Sequence, residues 1–369
     1  MLSTLSDRFY YQIWTFPPLR FLHFNISQSL AVFYGKNDWH YYLTQGYPLL
    51  LTTFLPFALI GLYRALISPS RSYPHYNAKE LRATRIRYQL ATTALIVPAI
   101  LSVISHKEVR FIYPLLPILH ILAAQPFTSF FLPAVSPASA VHTTTVSRIK
   151  TSLLALILAL NVFIGLYTTT VHQSGVLSVL DYLRHEHEHH YLTQPPALAH
   201  IAAADTTMTV GFLMPCHSTP WRSHLVHPGI TAWALGCEPP VNLNATERAT
   251  YIDEADRFYA NPTAFMGQEM GPSPRLRSSL GFKLPRQGLG RGTEYESDGT
   301  NGKEGKKQWP EYLVFFQQAE ETMRMVLRGS GYRECWRGFN SHWHDDWRRK
   351  GDIIVWCLTT RPGNRSGKI

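Results

Sequence analysis

Four stretches without formal charge, 47–63, 88–104, 111–134 and 151–171, constrain this chain more than any other feature. Each reaches the roughly 17 residues that a helix needs to cross a bilayer core. Buried helices of a large soluble domain would account for one or two such runs, but not for four in close succession. Tyr47, Tyr63, Tyr88 and Tyr113 sit at or near their ends, where an aromatic belt meets the headgroups. Prolines at 48, 56, 98, 114, 117 and 126 would break soluble helices and are tolerated in packed membrane bundles. The runs read as four membrane spans.

Charge placement then gives an orientation. The whole chain carries 35 Lys and Arg against 25 Asp and Glu, and its pI near 9.4 invites a nucleic-acid reading. The excess is not spread evenly. Residues 1–171 hold 13 basic side chains against 4 acidic, and the remainder holds 22 against 21. Between the first two runs, Arg64, Arg71, Lys79, Arg82, Arg85 and Arg87 face only Glu80; between the last two, Arg148 and Lys150 face no acid. The positive-inside rule makes both loops cytosolic. The basic balance reports topology, and nucleic acid is not an expected partner.

Residues 1–46, the loop at 105–110 and everything from 172 onward then fall on the luminal side. Cys216, Cys237, Cys335 and Cys357 all lie in that tail, where an oxidising compartment permits disulfides. Four cysteines allow three pairings, and spacing does not choose among them. Sequons at Asn25, Asn244 and Asn364 lie on the same side. Met1 opens inside a polar–aromatic segment, SDRFYYQIWTFPPLRFLHFN, with no signal-peptide pattern; an N-terminally truncated piece of a longer protein is the expectation. The chain therefore divides into a luminal or interfacial segment (1–46), a membrane region (47–171) and a luminal C-terminal domain (172–369).

Two stretches beside the spans carry chemistry. In SHKEVRF, Ser105 to Phe111, Lys107 and Arg110 are candidates to hold a phosphate, Arg110 through its bidentate fork. Glu108 would orient a cation or accept a substrate hydroxyl, and His106 would move a proton near neutral pH. A solvated tight loop with a Lys–Glu pair needs none of this. In AVFYGKNDWHYYL, Asp38, Trp39 and His40 gather a carboxylate, a stacking face and hydrogen-bonding groups. That set suits a sugar or lipid headgroup, and equally an interfacial aromatic anchor. His120 is a polar group inside the third span.

In the tail, LRHEHEHHYL (183–192) would put His185 with His189, and Glu186 with His190, on shared helix faces. With no matching cluster nearby it reads as a solvated face, and no metal site is assigned. TTMTVGFLMP reads as a buried strand, EYLVFFQQAEETMRMVL as strand into helix, and IIVWCL as a closing strand. Cys216-His217-Ser218 superficially resembles a nucleophilic triad, but adjacent residues rarely meet across a cleft; a Cys216–Cys237 disulfide is the preferred reading. Residues from about 267 to 310, rich in Gly, Ser, Arg and Lys, read as a flexible insertion.

His106 to Phe111 also matches H-K-E-x-R-F, and the chain thereby resembles the endoplasmic-reticulum mannosyltransferases that use dolichyl-phosphate mannose. WTFPPLRFLHFN, FYGKNDWHYYLTQGYPLLL, GFLMPCHSTPWRSHLVHP and GYRECWRGFNSHWHDDWRRKGD narrow the resemblance to the branch that adds the third mannose to the glycosylphosphatidylinositol (GPI) precursor, in fungi. The resemblance implies a multi-pass α-helical membrane protein of GT-C type, represented by its C-terminal part, with a luminal α/β domain in the endoplasmic reticulum. It implies dolichyl-phosphate mannose as donor substrate, no established cofactor, and the bilayer and a GPI precursor glycolipid as partners. The family's acidic base lies in an early luminal loop that no residue here matches, so the catalytic base stays unassigned. His106, Lys107, Glu108, Arg110, Asp38, Trp39 and His40 are the expected substrate-binding residues. A sibling enzyme of dolichol-linked oligosaccharide assembly, and a non-catalytic remnant that binds a lipid-linked glycan, are the alternatives.

Overall fold

The computed structural model describes residues 2–27, 30–67, 78–135, 145–189, 207–241, 243–271 and 306–358. The chain divides into two compact units, Met1–Gly165 with Pro239–Asn242, and Leu166–Glu238 with Leu243–Ile369.

The first unit is helical. It opens with α1 (Leu2–Tyr11) and α2 (Pro17–Leu22), the second begun by prolines whose fixed φ suits a first helical turn. A π-helical turn, Tyr42–Gly46, then feeds α3 (Tyr47–Leu51), a 3-10 turn (Thr52–Phe54) and α4 (Leu55–Ile67). α5 spans Ala78–Leu101; a 3-10 turn, Val109–Leu115, leads into α6 (Leu116–Val135), and α7 runs Thr145–Thr170.

Among the described residues, three helical stretches are long and apolar enough to cross a membrane, Tyr42–Ile67, Val109–Val135 and Thr145–His187. The run at 88–104, expected as a span of its own, forms only the second half of α5. The first half carries Lys79, Glu80, Arg82, Arg85 and Arg87. Good helix formers continue the helix outward past the apolar boundary, and the helix stops at Leu101, short of the run's end.

Small residues let the helices approach. Ala58, Gly61 and Ala65 form the buried face of α4, and a Cβ at Gly61 would collide with the Leu122 carbonyl of α6. Ala91, Ala94 and Pro98 do the same for α5, where the Tyr47 hydroxyl donates to the Ala94 carbonyl. Thr52 sits at φ 48°, breaking the helix between α3 and α4. Its hydroxyl meets Asn161 Oδ1 at 2.7 Å, while the Asn161 amide donates to Ile157 O and Thr53 Oγ1. Polar groups at that depth are thus satisfied by each other.

The second unit is α/β. Strands β1 (Met208–Phe212), β2 (Ile230–Ala234), β3 (Tyr312–Phe316), β4 (Tyr332–Ser341) and β5 (Gly351–Leu358) form one sheet in the order β2-β1-β3-β5-β4. β1 pairs parallel with β2 and β3, and β5 pairs antiparallel with β3 and β4. The two-residue period sends Val314, Phe316, Ile353 and Val355 to one face, where Val179, Leu180 and Leu183 of α8 (Gly175–His187) cover them. Leu313, Phe315, Ile354 and Trp356 face the other way, against Phe258, Phe265 and Met323. Burial on both faces is why YLVFF reads as continuously apolar. Disulfides join Cys216 to Cys237 and Cys335 to Cys357.

The expected insertion lies mostly outside the described residues, but its edges are defined. Gly271 N donates to Lys307 O and Lys307 N to Glu269 O, both at 2.8 Å. Trp309 Nε1 closes on the Gly271 carbonyl at 2.9 Å.

Candidate active site

The polar loop after α5 is held by a residue the sequence reading did not single out. Asn37 N donates to the Ser105 carbonyl at 3.0 Å. Its side-chain Oδ1 accepts from Lys107 N at 2.9 Å, and its own carbonyl accepts from Lys107 Nζ at 3.0 Å. Three hydrogen bonds thereby fasten residues 105–107 to residue 37. Lys107 is only 4% exposed. Burial lowers the ammonium's pKa, and the Asp38 carboxylate opposes that shift. Lys107 is therefore committed to the Asn37 backbone and is the clip that sets the loop's path.

The other members of the motif face outward around one carboxylate. Glu108 Oε1 accepts from His106 Nε2 at 2.9 Å and from Arg110 Nη2 at 2.7 Å, and Arg110 Nε pairs with Oε2. Burial pushes the Glu108 carboxyl up, yet these hydrogen bonds and the charges behind them outweigh it and hold the group below its ordinary value. A carboxylate so engaged is poorly suited to take up a proton and well suited to orient its partners. The Arg110 side chain remains 68% exposed, with donors beyond those used on Glu108. His106 Nδ1 is buried without a hydrogen-bond partner. Gly35, at φ 113°, passes close beside it. Tyr42 lies beneath, its hydroxyl buried against the Glu108 backbone without a completed hydrogen bond.

Asp38, Trp39 and His40 follow Asn37 directly, so the clip brings both candidate stretches to one ledge. Asp38 is 83% exposed on its side chain, with His40 Nε2 3.7 Å away. His40 Nδ1 reaches Thr44 Oγ1 at 3.1 Å. The Trp39 ring, edge-on to His40 at 5.5 Å, is 72% exposed. The arrangement offers an exposed guanidinium, an imidazole, an exposed carboxylate and an indole face. Those are the groups that bind a phosphorylated sugar.

The remaining candidates resolve differently. His120 is exposed, edge-on to Phe54 at 5.7 Å. His185 and His189 do share a face, with rings 6.3 Å apart. The solvated-face reading of this cluster is corrected at His187, which is buried and stacked on His227 at 5.0 Å, while Glu188 pairs with His227 at 2.8 Å. His190 and the sequon at Asn364 lie outside the described residues. Cys216, Cys237 and Asp253 converge closely enough to ligate a metal, but the two sulfurs are joined in a disulfide, which leaves no thiolate to bind one. In SHWHDDWRR, Asp346 accepts from Arg348, which also reaches Asp256 at 2.7 Å. Arg349 donates to the Cys216 carbonyl. That motif clamps the disulfide loop.

The chain thus combines helical stretches long enough to cross a membrane, an α/β unit with two disulfides and the HKEVRF ledge. The model of the Alg9-like mannosyltransferase family matches residues 1–226, and the chain belongs to that family. GPI mannosyltransferase 3 of Aspergillus fumigatus is 52% identical over 361 residues, covering 97% of this chain and 45% of the relative. Its counterpart in Emericella nidulans is 52% identical over 359 residues, covering 97% and 51%. That of Gibberella zeae is 42% identical over 362 residues, covering 96% and 54%. The chain thus spans about half the length of the curated relatives it matches. No solved structure matches it.

Proposed function

We propose that this chain serves GPI-anchor assembly, in the transfer of the third mannose, in α-1,2 linkage, from dolichyl-phosphate mannose to the second mannose of the precursor. The observation that carries the reading is the 52% identity to GPI mannosyltransferase 3 relatives across nearly the whole chain, with the HKEVRF ledge inside the matched residues. In this reaction the acceptor hydroxyl oxygen bonds to the mannose anomeric carbon. The bond from that carbon to the phosphate breaks, dolichyl phosphate leaves, and the hydroxyl proton passes to a base. Arg110, held in place by Glu108, and His106 meet the negative charge that grows on the leaving phosphate. Trp39 and Asp38 receive the sugar, the indole against its apolar face and the carboxylate on its hydroxyls. Lys107 sets the loop's position and is not among the phosphate contacts. No residue of this chain is assigned as the base.

The same reading makes the protein a multi-pass membrane protein of GT-C type in the endoplasmic reticulum, with the ledge and the α/β unit luminal. The basic residues from Arg64 to Arg87, and Arg148 and Lys150 at the start of α7, support that orientation, as do the two disulfides. The test is complementation of cells lacking the third GPI mannosyltransferase, with this chain extended to its relatives' length. Arg110→Ala is expected to lower donor use about tenfold to a hundredfold, the worth of one or two charge-assisted hydrogen bonds. Accumulated precursor that still carries two mannoses after expression of the unmutated form would sink the reading.

A further inference from the structure

An aromatic cluster stands where α7 leaves its apolar stretch, and none of the roles above uses it. The Tyr167 ring stacks on Trp343 at 5.3 Å with only 9° between planes, and His172 stacks on the same indole at 5.4 Å. Tyr167 OH meets His342 Nδ1 at 2.8 Å, and Phe339 packs on His342 at 4.6 Å. The backbone joins the same two stretches. Gln173, at φ 59°, donates its N–H to the Asn340 carbonyl at 2.8 Å. Gly175 comes so close that a Cβ there would lie 2.8 Å from Phe339 O. The β4–β5 connection is thereby fixed to the end of α7 by rings and backbone together.

The composition of α7 says at what level this joint lies. From Lys150 to Tyr167 the helix advances about 26 Å, close to the thickness of a bilayer core. No residue of α7 is buried, and Leu153, Leu156, Leu160, Phe163 and Leu166 are exposed. The apolar run ends at Leu166. Tyr167, Thr168, Thr169, Thr170 and His172 follow it, which is the change from hydrocarbon-compatible to headgroup-compatible side chains. Trp343 remains 58% exposed although it stacks on two rings, and Trp347 beyond it is equally exposed. Indoles are the side chains that gain most from the headgroup region.

We propose that this cluster is a membrane-interface seat, with Trp343 among the lipid headgroups at the end of α7, so that the β4–β5 connection rests on the bilayer surface. The inference rests on the membrane-spanning reading of α7 given above. The partner is the lipid interface itself, and the seat carries no substrate.

The experiment places nitroxide labels in the full chain in lipid bilayers, one at a time, through Leu156→Cys, Asp345→Cys and Glu321→Cys. Collision with oxygen and with a water-soluble nickel chelate then reports depth. Leu156 is expected to read deep, Glu321 as water, and Asp345, whose side chain is 95% exposed, at headgroup depth. Trp343→Ser should raise nickel accessibility at 345 towards the value at 321, and Trp343→Tyr should restore it. If Leu156 reads deep while Asp345 matches Glu321, the seat is wrong and the span stands. A water-accessible Leu156 overturns the span and the seat with it. A label at 345 shielded from both probes means that protein covers the patch, which also overturns the proposal.

Discussion

Asn37 shows how one side chain can govern a motif seventy positions away. HKEVRF is legible in sequence as a charged interruption between apolar runs, and its matched letters carry the family resemblance. Its division of labour is not legible. Lys107 and Arg110 look interchangeable as phosphate ligands, yet one is buried on a backbone carbonyl and the other is exposed. Nothing in GKND announces Asn37, because the bonds it makes to residues 105 and 107 have no spacing signal. Asn37→Leu would leave Lys107 N–H without its acceptor, a loss of about 1–3 kcal/mol. Transfer activity of the extended chain in microsomes should fall between about fivefold and about a hundredfold by that arithmetic. Asn37→Asp keeps the acceptor oxygen and should retain most of it. Glu108 gives a second expectation. Its folded pKa lies below the ordinary 4.5, so its pairing stabilises the folded loop fully above that value and is lost as pH falls through the depressed one. Amide-exchange protection around residues 105–108, corrected for intrinsic rate, should decline in that acid window. Glu108→Gln should flatten the decline.

Elements were easier to foresee than their ends. YLVFF and IIVWCL were legible as strands from their apolar, β-branched and aromatic residues; that both are covered on each face of the sheet is a finding of the structure. The apolar run at 88–104 does not mark the ends of α5, because hydrophobicity bounds a membrane core, whereas helix propensity and hydrogen bonding bound a helix. The His-rich end of α8 was misjudged for the opposite reason. Its period pointed outward, but His187 has His227 to stack on, a partner that only tertiary folding supplies. Between α4 and α6 the approach depends on a missing side chain. Gly61→Leu must push the helices apart at the Leu122 carbonyl. It should lower the thermal stability of the first unit in detergent by several degrees, whereas Gly165→Leu, where a Cβ meets nothing within 4 Å, should leave it unchanged.

At the scale of the whole molecule, the two units are ordered by different means. The first is ordered by small residues and paired polar groups, the features by which helices pack in lipid. The second is ordered by a two-sided apolar core and two covalent closures. The strand pairing that brings β3 between β1 and β5 was beyond the sequence reading, since β1 and β3 lie about a hundred residues apart. The covalent closures were largely legible: cysteine placement pointed to disulfides, Cys216–Cys237 was the preferred pair, and the structure joins it and Cys335 to Cys357.

The hydrogen bonds that set Gly271 beside Lys307 have a practical meaning for what lies between them. A segment that enters and leaves through one doorway can change length with little effect on its host, because closing a longer loop costs only about 0.6 kcal/mol for each doubling. Residues 275–302 should therefore be replaceable by a compact fluorescent protein whose own termini are adjacent. The host's melting temperature should stay within a few degrees of the parent, as read by differential scanning fluorimetry. This doorway makes the α/β unit a natural socket: a place to attach a reporter or an imaging marker without entering the fold.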